Sequence, residues 1–497
     1  MTALLTRAES SGWRETSLHA DVLSFLAALD ARGDRRFHRS SFGASPEGRD
    51  LPLVVLSERG FATPAEAHAA GSLVVLVICG IHAGEVEGKE AALMLLRDLL
   101  DGRQAGLIDG VTLVVVPLYN PDGNDRIDPK NRKLDLSKFH GQIGPEAVGT
   151  RTNAAGINLN RDYLRKDALE SRLLHERVFL AWSPHLTIDC HSTNGSVHRF
   201  ALTYDAPHTI ASGRPEPIRF ARDTLLPEVT RRVRAASGRE TFFYGNFIED
   251  DGGAGEGWIT YTHHPRFGSN YRGLTGRMDV LFECYSYMPF EERVATSYEM
   301  LVETLRVAGA QSETIRGIVA ASQTPPSRVA VRYRLEADPT PARILTRSPR
   351  TLEGAPVEVT LPHLCSFSGA HVVERPFAYA VPETIAAKLA LHGLVVRRLE
   401  AGHEAPVEVA RVVGVEGTGS RTILEAEGER LLETEVVPAR RRLAAGTFIV
   451  ETGQPLGAIA TYLCEAASDD GLVACGWIDE PGVGDEWPVL RVVEPIP

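Results

Sequence analysis

The segment that most constrains the fold is an unbroken apolar run followed at once by a glycine and a helical pattern. It reads LVVLVIC from Leu73 to Cys79, continues through Gly80, and predicts a helix from Glu85 to Leu100. A strand whose residues are all apolar, rather than alternating with polar ones, is typical of a sheet covered on both faces. The segment therefore predicts a buried strand, a tight turn and a helix.

Short apolar runs and helical patterns alternate through the first part of the chain. Further strands are predicted at Leu51 to Leu56, Val111 to Leu118, Leu186 to Cys190 and Val280 to Cys284. Further helices are predicted at Ala20 to Leu29, at Ala168 to Trp182 and from Phe290 onward. This alternation predicts an α/β fold in which helices flank a mixed sheet.

A change of composition divides the chain. The stretch AASQTPPSR, from Ala320 to Arg328, combines prolines with small polar residues and is typical of a linker. Beyond it, apolar and polar residues alternate, which predicts strands, with one helix from Pro382 to His392. We therefore expect a catalytic domain over residues 1–322 and a β-rich C-terminal domain of unknown role over residues 328–497.

Charge and hydropathy exclude several classes of partner. The net charge is −12, and the basic residues are scattered, which argues against nucleic acid and anionic membranes as partners. The apolar runs are shorter than the ~20 residues that span a bilayer, and the N-terminal residues lack the pattern of a secretory signal. A cytoplasmic location is therefore expected. The six cysteines are too sparse for a disulfide scaffold and are expected to be reduced, buried thiols.

The first chemical signal is the pair His82 and Glu85, which follows the apolar strand. A histidine after a strand and a carboxylate at the start of the next helix can converge on one point, where the helix dipole also favours a carboxylate. His-x-x-Glu is weak evidence alone, because chance supplies it readily and a solvated first turn would look the same. A catalytic zinc site needs a third protein ligand and an open position.

His191 is the favoured third ligand because it ends a short buried strand, in LTIDCHSTNG. His185 precedes that strand and His198 lies well beyond it, so both are weaker candidates. Asp189 lies two residues before His191, hence on the same strand face, and could orient a ligand as a hydrogen-bond acceptor. The adjacent Cys190 would point to the opposite face, so we expect it to pack in the core.

Two further motifs add groups that peptide chemistry needs. Asn160 and Arg161 place an amide beside a guanidinium, a pair suited to gripping a carboxylate, although Arg161 could instead pair with Asp162. Glu283 ends another buried strand, in RMDVLFECYSY. A carboxylate at such a position is costly unless it is functional, and it is a natural general base with a raised pKa. Cys284 beside it is expected to pack in the core.

In their order along the chain, these motifs resemble the zinc metallocarboxypeptidases of the carboxypeptidase A and B type. The resemblance covers roughly residues 15–320, and the C-terminal region looks like an extension found in some bacterial members. It implies a mixed eight-stranded sheet with helices on both faces. The motifs that carry it are His-x-x-Glu at His82, Asn-Pro-Asp-Gly at Asn120, Gly-Ile-x-x-Asn-Arg ending at Arg161, His-Ser at His191, and Phe-Glu at Glu283.

The resemblance also implies roles for individual residues. His82, Glu85 and His191 would bind one zinc ion per chain, and Glu283 would be the general base. Asn160 and Arg161 would clamp the C-terminal carboxylate of a substrate.

Some roles remain open between two candidates. The arginine that stabilises the transition state is expected to be Arg151, with Arg132 as the alternative. The family's mobile tyrosine does not align cleanly, and Tyr271 is slightly favoured over Tyr261. The family usually has an aspartate two residues before the Asn-Arg pair, where this chain has Asn158.

The sequence therefore predicts a hydrolase, a zinc metallocarboxypeptidase that removes C-terminal residues from a peptide with a free carboxylate. Homo-oligomers are possible. One rival is a zinc amidohydrolase that acts on a small N-acyl amino acid, and a second is a non-catalytic binding protein on the same scaffold. A substrate with a blocked C-terminus would separate the first rival from a carboxypeptidase, and metal content would test the second.

Overall fold

The structure is a computed structural model that describes residues 4–193, 195–250, 255–417 and 430–496. Its strands are β1 (Phe37–Ala44), β2 (Asp50–Ser57), β3 (Leu73–Cys79), β4 (Val111–Val116), β5 (Leu186–Thr193), β6 (Leu202–Asp205), β7 (Thr241–Phe243), β8 (Asn246–Phe247), β9 (Trp258–Ile259), β10 (Met278–Tyr285), β11 (Arg328–Ala337), β12 (Ala342–Ser348), β13 (Ala355–Leu361), β14 (His363–Glu374), β15 (Ala378–Val381), β16 (Arg397–Arg398), β17 (His403–Gly417), β18 (Arg430–Leu443), β19 (Phe448–Glu451) and β20 (Leu490–Val492).

The α-helices are α1 (Arg7–Ser10), α2 (His19–Asp30), α3 (Pro64–Ala69), α4 (Glu87–Leu100), α5 (Pro121–Asp125), α6 (Leu169–Leu173), α7 (Pro215–Phe220), α8 (Leu226–Ser237), α9 (Gly268–Gly273), α10 (Phe290–Ala310), α11 (Ser312–Ala321), α12 (Glu383–Ala390) and α13 (Gly457–Cys464). Two π-helical segments, Leu174–Leu180 and Ala221–Leu225, continue α6 and α7. Short 3₁₀ turns lie at Leu136–Lys138 and Leu159–Arg161.

Eight strands form the central sheet, in the order β1-β2-β4-β3-β5-β10-β6-β7. The three middle strands β3, β5 and β10 are parallel, whereas β1, β2 and β6 join their neighbours in antiparallel pairs. The expectation of a mixed eight-stranded sheet is confirmed. Because β3, β5 and β10 are parallel neighbours, the residues at their carboxyl ends meet at one edge of the sheet.

Helices cover both faces of this sheet, as expected. Alternate residues of β3 show the division: Val75 and Val77 pack into one core with α2, α4, α8 and α10. Val74 and Leu76 pack into a second core with the segment 159–182, α9, α12 and α13. The C-terminal region therefore supplies part of the layer that covers the second face of the sheet.

The C-terminal region shares both a sheet and a core with the first part of the chain. A four-stranded sheet in the order β11-β14-β9-β8 joins strands from the two parts, since His363 of β14 pairs with Trp258 of β9. A β12-β13 hairpin and a six-stranded sheet complete the region. The proposed division at residues 322 and 328 falls between α11 and β11, but the two parts pack as one body.

All six cysteines are buried and free, as expected. Within the described ranges, every helix is too short or too polar to span a bilayer.

Candidate active site

Three predicted metal ligands converge at the edge of the sheet where β3 and β5 end. His82 Nδ1 lies 3.1 Å from Glu85 Oε1, and His191 Nδ1 lies 3.1 Å from Glu85 Oε2. The two Nδ1 atoms are 3.2 Å apart, and all three side chains are buried. Two imidazole nitrogens and a carboxylate that face one point are a donor set suited to zinc.

The second nitrogen of each imidazole faces an acceptor. His82 Nε2 donates to Asn158 Oδ1 at 3.0 Å, and His191 Nε2 lies 3.1 Å from Asp189 Oδ1. Such contacts fix the ring orientation and leave each Nδ1 available for a metal. Asn158 thus takes the place of the family's aspartate as a neutral acceptor.

Local backbone geometry explains how His82 and Glu85 reach this position. They lie in the turn between β3 and α4, which begins at Glu87 rather than at the expected Glu85. A side chain at Gly84 would come within 2.8 Å of both the Gly149 carbonyl oxygen and Arg132 Cδ. A glycine at position 84 therefore allows the loop around residue 149 and Arg132 to approach Glu85.

The Asn-Pro-Asp-Gly motif secures that loop. The Asn120 side chain accepts a hydrogen bond from Gly123 N at 2.9 Å, and Thr150 N donates to the Gly123 carbonyl at 2.9 Å. A Cβ at Gly123 would lie 2.6 Å from the Thr152 carbonyl oxygen. The motif therefore holds the segment that carries Arg151 against the site.

The three predicted ligands differ in their pKa shifts. Although burial opposes ionisation, His82, His191 and Arg132 hold the pKa of Glu85 well below its usual value. Burial lowers the pKa of His82 to about 4, so this imidazole is neutral at pH 7. Burial opposes protonation of His191, but Asp189 and Glu85 hold the pKa of this imidazole well above its usual value. A metal ion bound by all three residues would therefore displace a proton from His191.

The competing histidines lie elsewhere. His185 Nδ1 accepts a hydrogen bond from Val74 N at 3.0 Å. His198 stacks on Tyr285 with ring centroids 4.1 Å apart. Neither belongs to the group of three ligands, so the preference for His191 agrees with the geometry.

Glu283 lies on β10, directly opposite His191 in the parallel register. It lines the same cavity as His82 and Glu85. Burial raises the pKa of Glu283 to about 8, and Glu85 adds to this effect, while His191 opposes it. The structure therefore places a carboxyl group with a raised pKa beside the three predicted metal ligands.

Arg161 lies in the same cavity without an acidic partner. Its guanidinium stacks on Phe267, 3.5 Å from the ring centroid, and its Nη1 donates to the Asn160 carbonyl at 2.8 Å. Asp162 instead accepts backbone hydrogen bonds from Asp167 and Ala168. Burial lowers the pKa of Arg161 to about 9, and Arg151 and Arg266 lower it further. In the described ranges no carboxylate forms an ion pair with Arg161.

Asn160 lies at the cavity too, but part of its amide is already engaged. Its Oδ1 accepts a hydrogen bond from Gly268 N at 2.8 Å. The side-chain amide nitrogen is thereby left to face the cavity, since Asn160 is among the residues that line it. This bond also ties the Asn-Arg turn to the start of α9.

Both candidate arginines contact Glu85. Arg132 Nη1 donates to Glu85 Oε1 at 3.1 Å and Arg151 Nη1 does so at 3.2 Å. The Arg132 side chain is 11% exposed and is held by Gln142 and Ser286, whereas the Arg151 side chain is 47% exposed. Arg132 is thus the fixed member of the pair and Arg151 the more accessible one.

The structure places Tyr271, the favoured tyrosine, away from the predicted metal ligands. Tyr271 is fully buried, and its hydroxyl bonds His392 Nδ1 at 2.8 Å, away from the metal ligands. Tyr261, the alternative, lines the cavity, and its hydroxyl has no hydrogen-bond partner among the described residues. Tyr271 belongs to the packing between α9 and the C-terminal region, and Tyr261 is the better candidate for a substrate contact.

The cavity has a volume of about 650 Å³. Part of its wall comes from the irregular segment 126–149, which sequence reasoning did not assign to the site apart from Arg132. The basic residues of that segment are the sequence feature that could have indicated its place in the cavity wall. The additional residues that the segment contributes are Lys130, Asn131, Lys138, Phe139 and His140.

A family model described as zinc carboxypeptidase matches residues 22–178 of this chain. The matched range contains His82, Glu85, Asn160 and Arg161. This part of the chain is therefore similar to zinc carboxypeptidases. The other two predicted residues of the carboxypeptidase site, His191 and Glu283, lie beyond the matched range but at the same sheet edge.

Named relatives are also carboxypeptidases. Carboxypeptidase 2 of Trichophyton tonsurans is 24% identical over 495 residues, which cover 92% of this chain and 82% of the relative. Carboxypeptidase D of Drosophila melanogaster is 31% identical over 145 residues, or 28% of this chain and 9% of the relative. A solved structure of a putative carboxypeptidase A from Shewanella denitrificans is 17% identical, with a TM-score of 0.42 over 59% of this chain and 69% of that one.

Proposed function

We propose that this protein is a zinc carboxypeptidase that hydrolyses the last peptide bond of peptides that end in a free carboxylate. The observation that carries the proposal is Arg161, a guanidinium that lines the cavity of His82, Glu85 and Glu283 without an acidic partner among the described residues. A partly buried cation at a cavity wall is suited to receive an anionic group of a ligand. Asn160 beside it offers an amide for the same group.

His82, Glu85 and His191 would hold the zinc ion. Their donor atoms already face one point, and hydrogen-bond acceptors orient both rings. A zinc ion bound by two histidines and one glutamate polarises a carbonyl oxygen and lowers the pKa of a bound water to about 7.

Glu283 would act as the general base. Its raised pKa makes this carboxylate a better proton acceptor than an ordinary glutamate. It takes a proton from the attacking water and then gives it to the nitrogen of the departing amino acid. The same residue thus serves both proton transfers.

Arg151 and Arg132 would stabilise the negative charge that develops on the carbonyl oxygen. Both guanidinium groups already point into the site, where they contact Glu85 Oε1. Donors fixed in advance stabilise such a charge more effectively than water does. The Arg151 side chain is the more exposed of the two and thus the easier for a substrate to reach, so we prefer it as the partner of the oxyanion.

The proposal is tested with a mixed peptide library in which each peptide is present as the free acid and as the C-terminal amide. The purified protein is incubated with the library, with and without a chelator, and products are identified by mass spectrometry. The expected result is the loss of single C-terminal residues from the free acids alone, in the absence of chelator. Zinc-loaded protein that cleaves no peptide, or that cleaves amides as readily as acids, would contradict the proposal and direct attention to small N-acyl amino acids.

A further inference from the structure

A second cluster of metal-ligating side chains lies where the catalytic region meets the C-terminal region. His263 and His264 belong to the segment after β9, and Asp469 follows α13. One donor atom of each residue lies within 4.8 Å of the others, and all three side chains are buried. His263 Nε2 is 2.9 Å from Asp469 Oδ2, and the two imidazole rings are 4.4 Å apart.

The residues around this cluster orient its donor atoms. Tyr462 donates its hydroxyl hydrogen to Asp469 Oδ1 at 2.6 Å, which directs the other oxygen towards His263. Thr262 Oγ1 bonds His264 Nδ1, which turns His264 Nε2 away from Thr262. The zinc site shows the same arrangement, with one nitrogen of each ring facing an acceptor. Ligating side chains in metal sites are characteristically oriented in this way by a second hydrogen bond.

Both aromatic rings and charged groups surround the cluster. The His263 ring packs against Tyr333 and Phe367, with centroids 4.7 Å and 5.2 Å away. The neighbouring carboxylate, Asp470, accepts two hydrogen bonds from Arg266, each of 2.8 Å. Asp469 is thus directed to the histidines, and a buried carboxylate needs a compensating positive charge.

We propose that His263, His264 and Asp469 bind a second divalent transition-metal ion, separate from the zinc of the active site. Two imidazole nitrogens and one carboxylate oxygen suit zinc and its neighbours rather than magnesium or calcium. Because the site is buried, its role is structural. The ion would fasten the segment 261–266, which includes the cavity residue Tyr261, to the C-terminal region.

Such an ion would link two segments that are far apart in the chain. Residues 263 and 469 are 206 positions apart in the chain, yet their side chains are within hydrogen-bond distance. A hydrogen-bonded His-Asp pair without metal would produce the same contact. The number of metal ions bound per chain separates the two explanations, since only a metal site at this cluster would bind an ion in addition to that of the active site.

The test measures zinc bound per chain by mass spectrometry of the full-length protein after stripping with a chelator, loading with zinc alone and removal of the excess. We expect about two equivalents in the wild type and about one in a His82→Ala/His191→Ala variant, which lacks the active-site ligands. Asp469→Asn, which preserves side-chain volume, is expected to hold about one equivalent and to remain active.

Two results would overturn the inference. One is a single equivalent in the wild type together with none in His82→Ala/His191→Ala, and the other is full retention of both equivalents in Asp469→Asn. The double variant keeps Asp469 intact, so it answers the question even if Asp469→Asn fails to fold. A wild type that holds one equivalent, lost in Asp469→Asn but kept in the double variant, would support this second site and contradict the proposed active-site zinc.

Discussion

Glu283 and His191 occupy directly opposite positions on the neighbouring parallel strands β10 and β5. Because residues paired across parallel strands project on the same face of the sheet, this register places the proposed base beside a proposed metal ligand. A shift of one residue on either strand would turn one of the two side chains to the opposite face. The central sheet thus sets the geometry of the catalytic groups.

Arg161 is expected to bind the free C-terminal carboxylate of the substrate. Arg161→Lys keeps the charge but loses the planar, two-pronged donor, so kcat/KM for free-acid peptides should fall by about 10- to 100-fold, equivalent to ~1.5–3 kcal/mol. The measurement is steady-state kinetics on one good peptide. Arg165→Lys, at an exposed arginine four residues along the chain, is the matched control and should leave kcat/KM unchanged. An equal effect of the two variants would contradict the role of Arg161.

The two tyrosines are expected to behave differently. Tyr261→Phe removes the buried hydroxyl of a residue that lines the cavity and should lower kcat/KM by about 2- to 10-fold, the effect of one hydrogen bond. Tyr271→Phe removes the bond to His392, so it should leave the kinetics unchanged and lower the free energy of unfolding by ~1 kcal/mol. Kinetics and denaturant unfolding of both variants test this assignment. It fails if Tyr271→Phe impairs catalysis while Tyr261→Phe does not.

Asn158 is expected to support zinc binding through His82. Asn158→Ala removes the acceptor that lies 3.0 Å from His82 Nε2, and loss of such a partner typically weakens metal affinity by about 10- to 100-fold. Asn158→Asp supplies a stronger acceptor and should restore or exceed the wild-type affinity. Competition with a zinc-sensitive dye gives the dissociation constants. Equal affinities for all three proteins would show that this contact does not orient the ligand.

Lys166 is expected to destabilise the fold in a pH-dependent manner. It is fully buried, and burial lowers its pKa from 10.5 to about 7. The unfolded chain therefore binds the proton more tightly between these values, so this group's contribution to the free energy of unfolding rises as the pH increases from 7 to 10.5.

Lys166→Met removes this penalty and should be more stable than the wild type at pH 6 by ~2 kcal/mol or more. At pH 9 the difference in the free energy of unfolding between Lys166→Met and the wild type should be smaller by ~2 kcal/mol. Denaturant unfolding at both pH values measures this difference. Lys133→Met, at an exposed lysine, is the control and should show no such narrowing. A difference in the free energy of unfolding between Lys166→Met and the wild type that is the same at pH 6 and pH 9 would contradict the lowered pKa of Lys166.

The sequence predicted those site residues whose positions depend on local pattern. Each proposed metal ligand or base lies at or near the end of an apolar strand, and such strands are recognisable because both sheet faces are covered. His82, His191 and Glu283 could therefore be placed at one sheet edge before the structure was considered. The order β1-β2-β4-β3-β5-β10-β6-β7 was not predicted, since periodicity does not specify which strands are neighbours.

The choice between Tyr261 and Tyr271 depends on contacts that local patterns do not contain. Tyr271 is directed inward because α9 packs on His392, which lies 121 residues away in the chain. Likewise, β9 has only two residues, too few for a recognisable alternation, so its pairing with β14 could not be anticipated. Long-range packing between the two regions thus determines the position of Tyr271 and the pairing of β9 with β14, which the sequence alone did not specify.

The most direct test of the account is the turnover of Glu283→Gln compared with that of the wild type. The substitution keeps the size of the side chain but removes its ability to accept a proton from water. We expect zinc content and KM to be unchanged and kcat to fall by about 10²- to 10⁴-fold, the range of general acid–base catalysis. A Glu283→Gln protein that binds zinc and retains a kcat close to that of the wild type would contradict the assignment of Glu283 as the base of a zinc carboxypeptidase.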